Sequence, residues 1–411
     1  MTIRKRLAGS FLGMLLAVAG VAFAPAQHAL ALTTTADATW MVKGKVYTSV
    51  RLGNTLYIGG AFTKVESAPS GGQSYAANNL AAIDVTTGQG MSSFTPDVTW
   101  ASGTPVVRSL ALSQDGSTLY VGGSFDAIDG QPRSNLGAVS TSTGSVTSYA
   151  PAVTGGAPVV AALLVTSARI YLGGNFSKVS GVSRTKLAAT APGGALDAQW
   201  KPRANDRVGV MTLAADGMSI FIGGNFETIT VAGTVYNRQS VARVTPDTGT
   251  VMSWQLAPDS QLTNNRAHAL IATANRLYGG FGAKGPNWVA AYNMANGSLV
   301  WKFGTVGNVQ TLALQGSGDG TKLFFGGHFG TGALQQTVCG SQHLHGLAAI
   351  NSPGTTGGHS PDCTWIPSLE PFGANYNGAW TLGLTSTYLW VGGGFSRIGG
   401  VSHLNLGRFT L

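Results

Sequence analysis

One short string recurs along the chain and limits what it can fold into: an apolar strand that ends in Gly-Gly-x-Phe. Full copies begin at Gly59, Gly122, Gly173, Gly223, Gly326 and Gly392, and a shortened copy stands at Gly279-Gly280-Phe281. The copies are roughly 40 to 65 residues apart, which is the period of propeller blades and too long for a hexapeptide β-helix or a leucine-rich solenoid. We therefore predict seven similar β units.

Each unit has room for four strands, and the second unit shows them best. We predict strands over 108–112, 119–125, 136–141 and 146–150, with Asp115-Gly116 and Thr143-Gly144 as hairpin turns. Paired glycines in the second strand indicate a place where backbones approach closely. The Phe after them is expected to fill space between neighbouring sheets.

Aromatic residues recur on the predicted fourth strand of several units. Packing between blades is the expected role, rather than stacking on a ligand, because their period matches the blade. They are Trp100, Trp200, Trp254, Trp301 and Trp365.

The two ends of the sequence predict how the units close. The last unit stops after a third strand near 404–411, while Asp37-Ala38-Thr39-Trp40 resembles Asp362-Cys363-Thr364-Trp365. An N-terminal strand that completes the last blade would remove exposed sheet edges. The predicted fold is all-β: a seven-bladed β-propeller with four-stranded blades, closed by pairing of the N-terminal strand with the last blade.

The second unit carries a recognisable resemblance. Leu119-Tyr120-Val121-Gly122-Gly123-Ser124-Phe125, followed by Ile128-Asp129-Gly130-Gln131-Pro132-Arg133-Ser134-Asn135-Leu136, resembles the delta-60 repeat propellers of exported bacterial proteins. The resemblance extends over nearly all of 32–411 and implies the propeller fold. It implies no activity, because that family is defined by its blades. The fifth and sixth units depart from the pattern, with a shortened strand before Gly279 and a lengthened stretch over 330–346.

The first 31 residues have the pattern of an export signal. Basic Arg4, Lys5 and Arg6 precede an apolar stretch over 7–24 and a small-residue exit at Ala29-Leu30-Ala31. We expect a signal peptide over 1–31 and one β-propeller domain over 32–411, secreted to the cell exterior or the cell wall; an uncleaved signal anchor is the alternative. No later window is long and apolar enough to span a membrane.

Composition narrows the partner classes. Of the 411 residues 59 are Gly and only 10% are charged, a balance suited to tight turns and buried strands. The formal net charge of +9 includes Arg4, Lys5 and Arg6, and the remaining excess comes from basic residues scattered singly along the repeats, whereas nucleic-acid binders concentrate Lys and Arg on one face. We expect no nucleic acid as partner, and a glycan, a cell-wall polymer or a protein instead.

The two cysteines, Cys339 and Cys363, predict one disulfide in an oxidising compartment. Two free thiols are the alternative. A metal site of these cysteines with His343 and His345 has no counterpart among known zinc spacings, so no metal is expected.

A candidate site follows from aligning the starts of the first strands. In a propeller these starts surround the mouth of the central channel, and here the aligned column is unusually mixed: Thr48, Arg108, Ala161, Gly209, His268, Gln310 and Trp380. Arg108, His268, Gln310 and Trp380 are the best ligand-binding candidates, because an Arg, an amide and an aromatic platform suit a sugar or a carboxylate. The alternative is that these residues bind no ligand and are polar only because the channel mouth is in contact with solvent.

Long loops after the second strands form another candidate surface. They cover 63–78, 227–239 and 330–346, and Tyr75, Tyr236 and His343 are candidate rim residues. Binding residues concentrate on such loops, although insertions are also best tolerated there.

The sequence contains no nucleophile elbow, no His-Glu-x-x-His and no Walker loop, so no catalytic residue and no cofactor is predicted. The stretch Ala81–Gly88 resembles the blade-docking motif of quinoprotein dehydrogenases, whose adjacent cysteine pair and calcium ligands are missing here. We predict a secreted, non-catalytic binding module for a glycan, a cell-envelope polymer or a partner protein. The alternative is a polysaccharide hydrolase or lyase with converging carboxylates at the channel.

Overall fold

A computed structural model describes residues 32–68, 72–257, 265–282, 286–330, 336–357, 359–370 and 377–411. The predicted export signal, 1–31, lies outside the described residues. Within them the chain is all-β, without any helix. Accordingly, no described helix could serve as a membrane span.

The strands follow one another in short, antiparallel connections. The first third of the chain contains β1 (Met41–Leu52), β2 (Thr55–Glu66), β3 (Ser74–Ala76), β4 (Leu80–Asp84), β5 (Val98–Thr99), β6 (Val106–Leu112), β7 (Thr118–Ser124), β8 (Ala127–Ile128), β9 (Gln131–Pro132) and β10 (Leu136–Ser140). The middle contains β11 (Val153–Thr154), β12 (Val159–Val165), β13 (Ile170–Asn175), β14 (Lys178–Val179), β15 (Val182–Ser183), β16 (Leu187–Thr190), β17 (Arg203–Ala204), β18 (Val208–Leu213), β19 (Ile220–Gly224), β20 (Thr228–Val231), β21 (Thr234–Asn237) and β22 (Val241–Val244). The rest contains β23 (Ala267–Ala272), β24 (Arg276–Phe281), β25 (Asn287–Asn293), β26 (Leu299–Thr305), β27 (Gly307–Gln315), β28 (Lys322–Phe329), β29 (Thr337–Val338), β30 (Gln342–His343), β31 (Leu347–Asn351), β32 (Leu369–Glu370), β33 (Gly378–Leu384), β34 (Tyr388–Gly394), β35 (Arg397–Ile398), β36 (Val401–Ser402) and β37 (Leu406–Thr410).

Seven of the sheets repeat one plan, and we call them main sheets 1 to 7. In each, the strand that carries the glycine pair lies between the strand before it and the strand after it, all antiparallel. The main sheets are β1-β2-β4, β6-β7-β10, β12-β13-β16, β18-β19-β22, β23-β24-β25-β26, β27-β28-β31 and β33-β34-β37. The seven units predicted from the repeat are therefore seven sheets.

Small hairpin sheets accompany most of the main sheets. The connection after the second strand forms a tight hairpin, and in most units that hairpin pairs with the segment that enters the unit. The hairpin sheets are β5-β8-β9, β11-β14-β15, β17-β20-β21, β29-β30 and β32-β35-β36, while β3 instead extends main sheet 1 through β2. Within their described residues, the long second-strand loops predicted from the sequence thus contain short strands.

In six of the seven main sheets the two glycines of the pair have distinct roles; in main sheet 5 the pair is shifted by one position, so that Gly280 faces Val309 of the next sheet. A side chain at Gly122 would meet Val160 Cγ1 of main sheet 3 at 2.6 Å, and one at Gly59 would meet Val107 Cγ1 of main sheet 2 at 2.5 Å. A side chain at the second glycine, such as Gly123, would overlap a carbonyl oxygen of the first strand in its own sheet, here that of Val106. The first glycine therefore admits the next sheet, and the second admits the neighbouring backbone.

Main sheets touch in chain order, and the seventh also touches the first. The first strands pack in the series β1, β6, β12, β18, β23, β27 and β33, and β33 and β34 pack against β1. At this last contact a side chain at Gly392 would meet Val46 Cγ1 at 2.7 Å, which is the contact that Gly122 makes with Val160. Backbone strand pairing does not continue from one main sheet to the next within the described residues, although side-chain hydrogen bonds such as Ser109 Oγ to the Val160 carbonyl do.

The predicted fourth strands are wrong for most units. In place of a strand over 146–150 there is one isolated bridge, Val139 to Val146, and only main sheet 5 has a full fourth strand, β26. The reason is local: Tyr149 turns inward against Tyr120, with ring centroids 4.9 Å apart, and Pro151 follows without an N–H to donate. Residues after the bridge therefore cover the sheet as an irregular segment.

This covering segment delivers an aromatic ring between sheets, as the period predicted. Trp200 packs on Tyr171 at 5.1 Å and donates from Nε1 to the Thr245 carbonyl at 3.2 Å in the next unit. Trp254, Trp301 and Trp365 are similarly buried. Trp100 is different: Phe94 occupies the corresponding place, 5.0 Å from Tyr57, and Trp100 is half-buried against Gly103. The spacing of the tryptophans alone could not show that Phe94 fills this position.

The segment over 32–40 is not a strand, yet it hydrogen-bonds to β37. Asp37 N donates to the Arg408 carbonyl at 2.9 Å, just as Asp362 N donates to the Ala349 carbonyl at 2.7 Å in unit six. Trp365 Nε1 in turn donates to the Thr33 carbonyl at 2.8 Å. The predicted likeness of Asp37 to Asp362 is thus seen in the backbone. Trp40 does not follow it: its ring packs at 6.1 Å from Tyr75 instead.

The disulfide prediction is confirmed. Cys339 and Cys363 are bonded, with their Cα atoms 5.5 Å apart, and join the turn between β29 and β30 to the segment before Trp365. The thiolates that a Cys/His metal site would need are therefore consumed.

The glycine pair leads to a stability prediction. Gly123→Ala should lower the free energy of unfolding by at least about 2 kcal/mol, because the added methyl overlaps the Val106 carbonyl. Gly193→Ala is the matched control, since nothing lies within 4 Å of a side chain there, and it should change stability by less than about 0.5 kcal/mol. Urea unfolding followed by tryptophan fluorescence measures both; equal effects would contradict this assignment.

The bond between the chain ends makes a second prediction. Arg408 Nε lies 3.0 Å from Asp37 Oδ2, while Arg408 Nη1 donates to the Val85 carbonyl at 2.7 Å. Asp37→Ala leaves this buried guanidinium without its carboxylate and should cost about 2 kcal/mol.

The control for Asp37→Ala is Glu370→Ala. Its partner Arg397 is 50% exposed in its side chain, so the loss of that ion pair should cost less than about 0.5 kcal/mol. Thermal unfolding of the two variants beside the wild type gives the comparison. If Asp37→Ala is no more destabilising than Glu370→Ala, the segment over 32–40 adds nothing to the fold.

Candidate ligand-binding cavity

A β-bulge interrupts the first strand of every main sheet at one corresponding position. In β6, for example, Val107 pairs with Gly123 and Ser109 with Gly122, so Arg108 is left between them without a partner. Bulges re-aim the extra side chain. The seven extra residues are Tyr47, Arg108, Ala161, Gly209, His268, Gln310 and Trp380.

All seven bulge residues line a single cavity of about 320 Å³. Residues at the starts of the first strands and the end of β19 complete its wall: Arg207, Gly224, Asn225, Arg266, Ala267 and Asn308. A volume near 300 Å³ lies at the lower end of the range of small-molecule sites.

The structure brings together the four residues predicted from the first-strand column. Arg108, His268, Gln310 and Trp380 all face this cavity. The predicted member from unit one, Thr48, is wrong: Thr48 pairs with Gly59 in the ladder, and Tyr47 is the bulged residue. Because a bulge opposes two residues to one, an alignment by apolar pattern alone can shift by one position.

Aromatic rings and a guanidinium form one side of the cavity. Arg108 Cζ lies 3.9 Å from the Tyr47 ring centroid, and the Tyr47 and Trp380 rings meet edge to face with centroids 5.4 Å apart. Burial lowers the pKa of Arg108, and the neighbouring Tyr47 hydroxyl opposes that shift. Trp380 Nε1 is buried and has no hydrogen-bond acceptor in the described part of the chain. This wall thus offers a platform, a cation and an unused donor.

Two further arginines, missed by the sequence reasoning, add to the charge. Arg207 and Arg266 each precede a bulge residue by two positions. They therefore belong to a different column of the repeat from the one that predicted Arg108 and His268. Burial lowers the pKa of Arg207, and the charges of Arg108 and Arg266 lower it further. Asp206 acts in the opposite direction. The signal in the sequence was the recurrence of basic residues, at 45, 207 and 266, two positions before the bulge residues.

His268 faces the cavity as a neutral donor. Its Nε2 lies 2.9 Å from the Gly282 carbonyl, so the neutral ring donates from Nε2. Burial lowers its pKa to about 4, and the charges of Arg266 and Arg207 act in the same direction. His268 is therefore uncharged at neutral pH.

The predicted rim residues lie elsewhere, in the hairpins. Tyr75 in β3 packs beside Trp40, and its hydroxyl donates to the Ala82 carbonyl at 3.4 Å. Tyr236 in β21 packs at the edge of the core around Trp200. His343 in β30 lies 3.3 Å from the Thr337 hydroxyl through Nδ1. None of the three lines the cavity, and they do not form a common surface with it.

No group of three or more His, Cys, Asp or Glu side chains suited to a metal occurs among the described residues. The described cavity wall likewise contains no Asp or Glu.

No protein-family model matches the sequence, and no curated protein matches it. Solved structures do resemble the fold. U3-55K is similar with a TM-score of 0.56 at 10% identity, over 90% of this chain and 98% of that one. The computationally designed Ika8 protein is similar with a TM-score of 0.51 at 12% identity, over 91% of this chain and 98% of that one. The WD40 β-propeller domain of Doa1 has a TM-score of 0.49 at 12% identity, over 91% of this chain and 97% of that one. At these identities the likeness concerns the fold alone.

The buried His268 makes stability depend on pH. Its pKa is about 4 in the folded chain and about 6.5 when unfolded, so protons bind preferentially to the unfolded chain as pH falls between these values. The contribution of neutral His268 to the free energy of unfolding is fully present above pH 6.5 and declines toward pH 4. From pH 7 to 4.5 the wild type should lose about 2 kcal/mol more than His268→Gln, whose amide can still donate to the Gly282 carbonyl.

Urea unfolding at the two pH values provides this measurement. His328, His345 and His403, whose pKa values burial also lowers, contribute equally to both proteins and cancel. Parallel pH dependences of wild type and variant would contradict the assignment.

Proposed function

We propose that the seven main sheets are the blades of a closed seven-bladed β-propeller, with the cavity at one end of its axis. Contact of β33 and β34 with β1 supports this arrangement. So does the Asp37 N to Arg408 carbonyl bond, which repeats the Asp362 pattern at the junction of first and last units. The resemblance to delta-60 repeat propellers belongs to the same proposal.

We also propose that the protein is a non-catalytic binding module whose ligand is a glycan or a cell-envelope polymer. The observation that carries this proposal is the convergence of all seven bulge residues on one cavity. Bulges cost regular pairing, and seven of them at one position give a scaffold that holds variable side chains rigidly around a common point.

The chemistry of the wall favours a sugar. Trp380 and Tyr47 offer ring faces and edges, while Gln310, Asn308 and Asn225 offer amides that can both donate and accept. The buried Trp380 Nε1 lacks an acceptor among the described residues, and a hydroxyl or carboxylate oxygen of a ligand would supply one.

We place the protein outside the cell as part of this proposal. The export pattern over 1–31 and the disulfide between Cys339 and Cys363 support that location. Detection of the chain in culture medium or cell wall, with its N-terminus near residue 32, would test it.

Binding is tested on an array of cell-wall polysaccharides and glycans, followed by calorimetry on each hit. Arg108→Ala and Trp380→Ala should each weaken binding about tenfold or more, or about 1.4 kcal/mol, because each removes a direct contact. Thermal unfolding verifies that the variants fold.

Two matched controls locate the site. Arg51 is exposed and bonds only the Gly53 carbonyl, and Tyr236 lies in a hairpin away from the cavity, so Arg51→Ala and Tyr236→Ala should bind as the wild type does. If neither cavity variant weakens binding, the cavity is not the site. Cleavage of a bound polymer would support the hydrolase or lyase alternative, and capture of a protein with no glycan bound would support a protein partner.

A further inference from the structure

We propose that the ligand of the cavity is an acidic saccharide, whose carboxylate lies among Arg108, Arg207 and Arg266 while its ring lies against Trp380. This inference rests on the proposed function and specifies the class of sugar. It depends on an imbalance of charge in the wall that nothing else in the described chain explains.

No Asp or Glu lines the described cavity wall beside the three arginines, although Asp206, outside that wall, acts on the charge of Arg207. Other arginines of the described chain have acceptors in the protein: Arg169 meets Asp197 at 2.5 Å, and Arg408 meets Asp37 at 3.0 Å. Backbone carbonyl oxygens accept hydrogen bonds from Arg133, Arg184, Arg238 and Arg276. Arg108, Arg207 and Arg266 form no ion pair with a described residue. The cavity therefore holds three cations and no wall anion.

Such an arrangement is unfavourable without a ligand. The side chains of Arg108 and Arg207 are partly buried, and the three charges are close enough to lower the pKa of Arg207. Burial of like charges costs free energy unless an opposite charge offsets it. An anion in the cavity removes that cost, and a carboxylate suits guanidinium groups because the two planar forks can bond in pairs.

The aromatic wall selects a ring beside the anion. Trp380 and Tyr47 meet edge to face at 5.4 Å, and Arg108 already covers the Tyr47 face at 3.9 Å. The Trp380 ring and its buried, unused Nε1–H remain for the ligand. A pyranose presents both an apolar face for the ring and oxygens for the N–H, whereas a bare inorganic anion uses only the arginines.

The dimensions favour a sugar over an acidic protein segment. The cavity measures about 320 Å³, and each of the seven first strands contributes a residue to its wall. A folded partner could touch only its mouth. Recognition inside it therefore suits a small acidic unit, either free or at the end of a chain.

The test compares tetragalacturonate with its carboxyl-reduced counterpart, which has the same backbone without charge. By calorimetry at pH 7 and low salt, the wild type should bind the acid at least tenfold more tightly, and added NaCl should reduce this ratio. The double variant Arg207→Gln, Arg266→Gln should lose most of the preference. Arg207→Lys with Arg266→Lys keeps the charge and should retain part of it.

The remaining outcomes separate this inference from the function beneath it. Equal binding of the acidic and reduced tetramers overturns the inference and leaves glycan binding intact. Binding of neither tetramer also overturns it, while the polysaccharide array decides the function independently. Inorganic phosphate or hexaglutamate binding as tightly as tetragalacturonate would show an anion or acidic-peptide site and would contradict the role given to Trp380.

Discussion

The contact between a paired glycine and the first strand of its own sheet sets the geometry of six of the seven units; in main sheet 5 Phe281 stands at the position of the second glycine. Because the second glycine has no side chain, the carbonyl of the facing strand can approach it, as Val106 approaches Gly123. That approach accommodates the bulge in the facing strand, and the first glycine leaves space for an apolar residue of the next sheet. One dipeptide therefore joins strand pairing, bulge formation and packing between sheets.

Binding chemistry is concentrated where this constraint acts. The bulge turns one side chain per unit toward a shared cavity, so a position that varies freely in the repeat becomes the position that lines the site. Packing residues around it stay uniform: Val107, Val160 and Val208 fill the same gap beside successive glycines. Rigid repetition with one variable side chain lets a regular scaffold present an irregular wall.

The separation of uniform packing positions from variable cavity positions also explains the charge in the cavity. Arg108 is held against Tyr47, while Arg207 and Arg266 enter from strand starts on other sheets. No neighbouring carboxylate in the described wall competes for them, so their charge is directed at whatever enters. His268 stays neutral among them because its burial and the nearby arginines both disfavour protonation.

The sequence by itself determined the repeat, the number of units, the disulfide and four of the cavity residues, because each depends on local spacing or on a regular column. It placed the fourth strands and Thr48 wrongly, since an inward Tyr149 and a one-residue bulge are decided by packing against neighbouring sheets. Only the tertiary structure could bring Arg207 and Arg266 beside Arg108, because they belong to separate sheets. Only the tertiary structure showed that Tyr75, Tyr236 and His343 lie apart from the cavity, because strand pairing inside each hairpin fixes where these side chains lie.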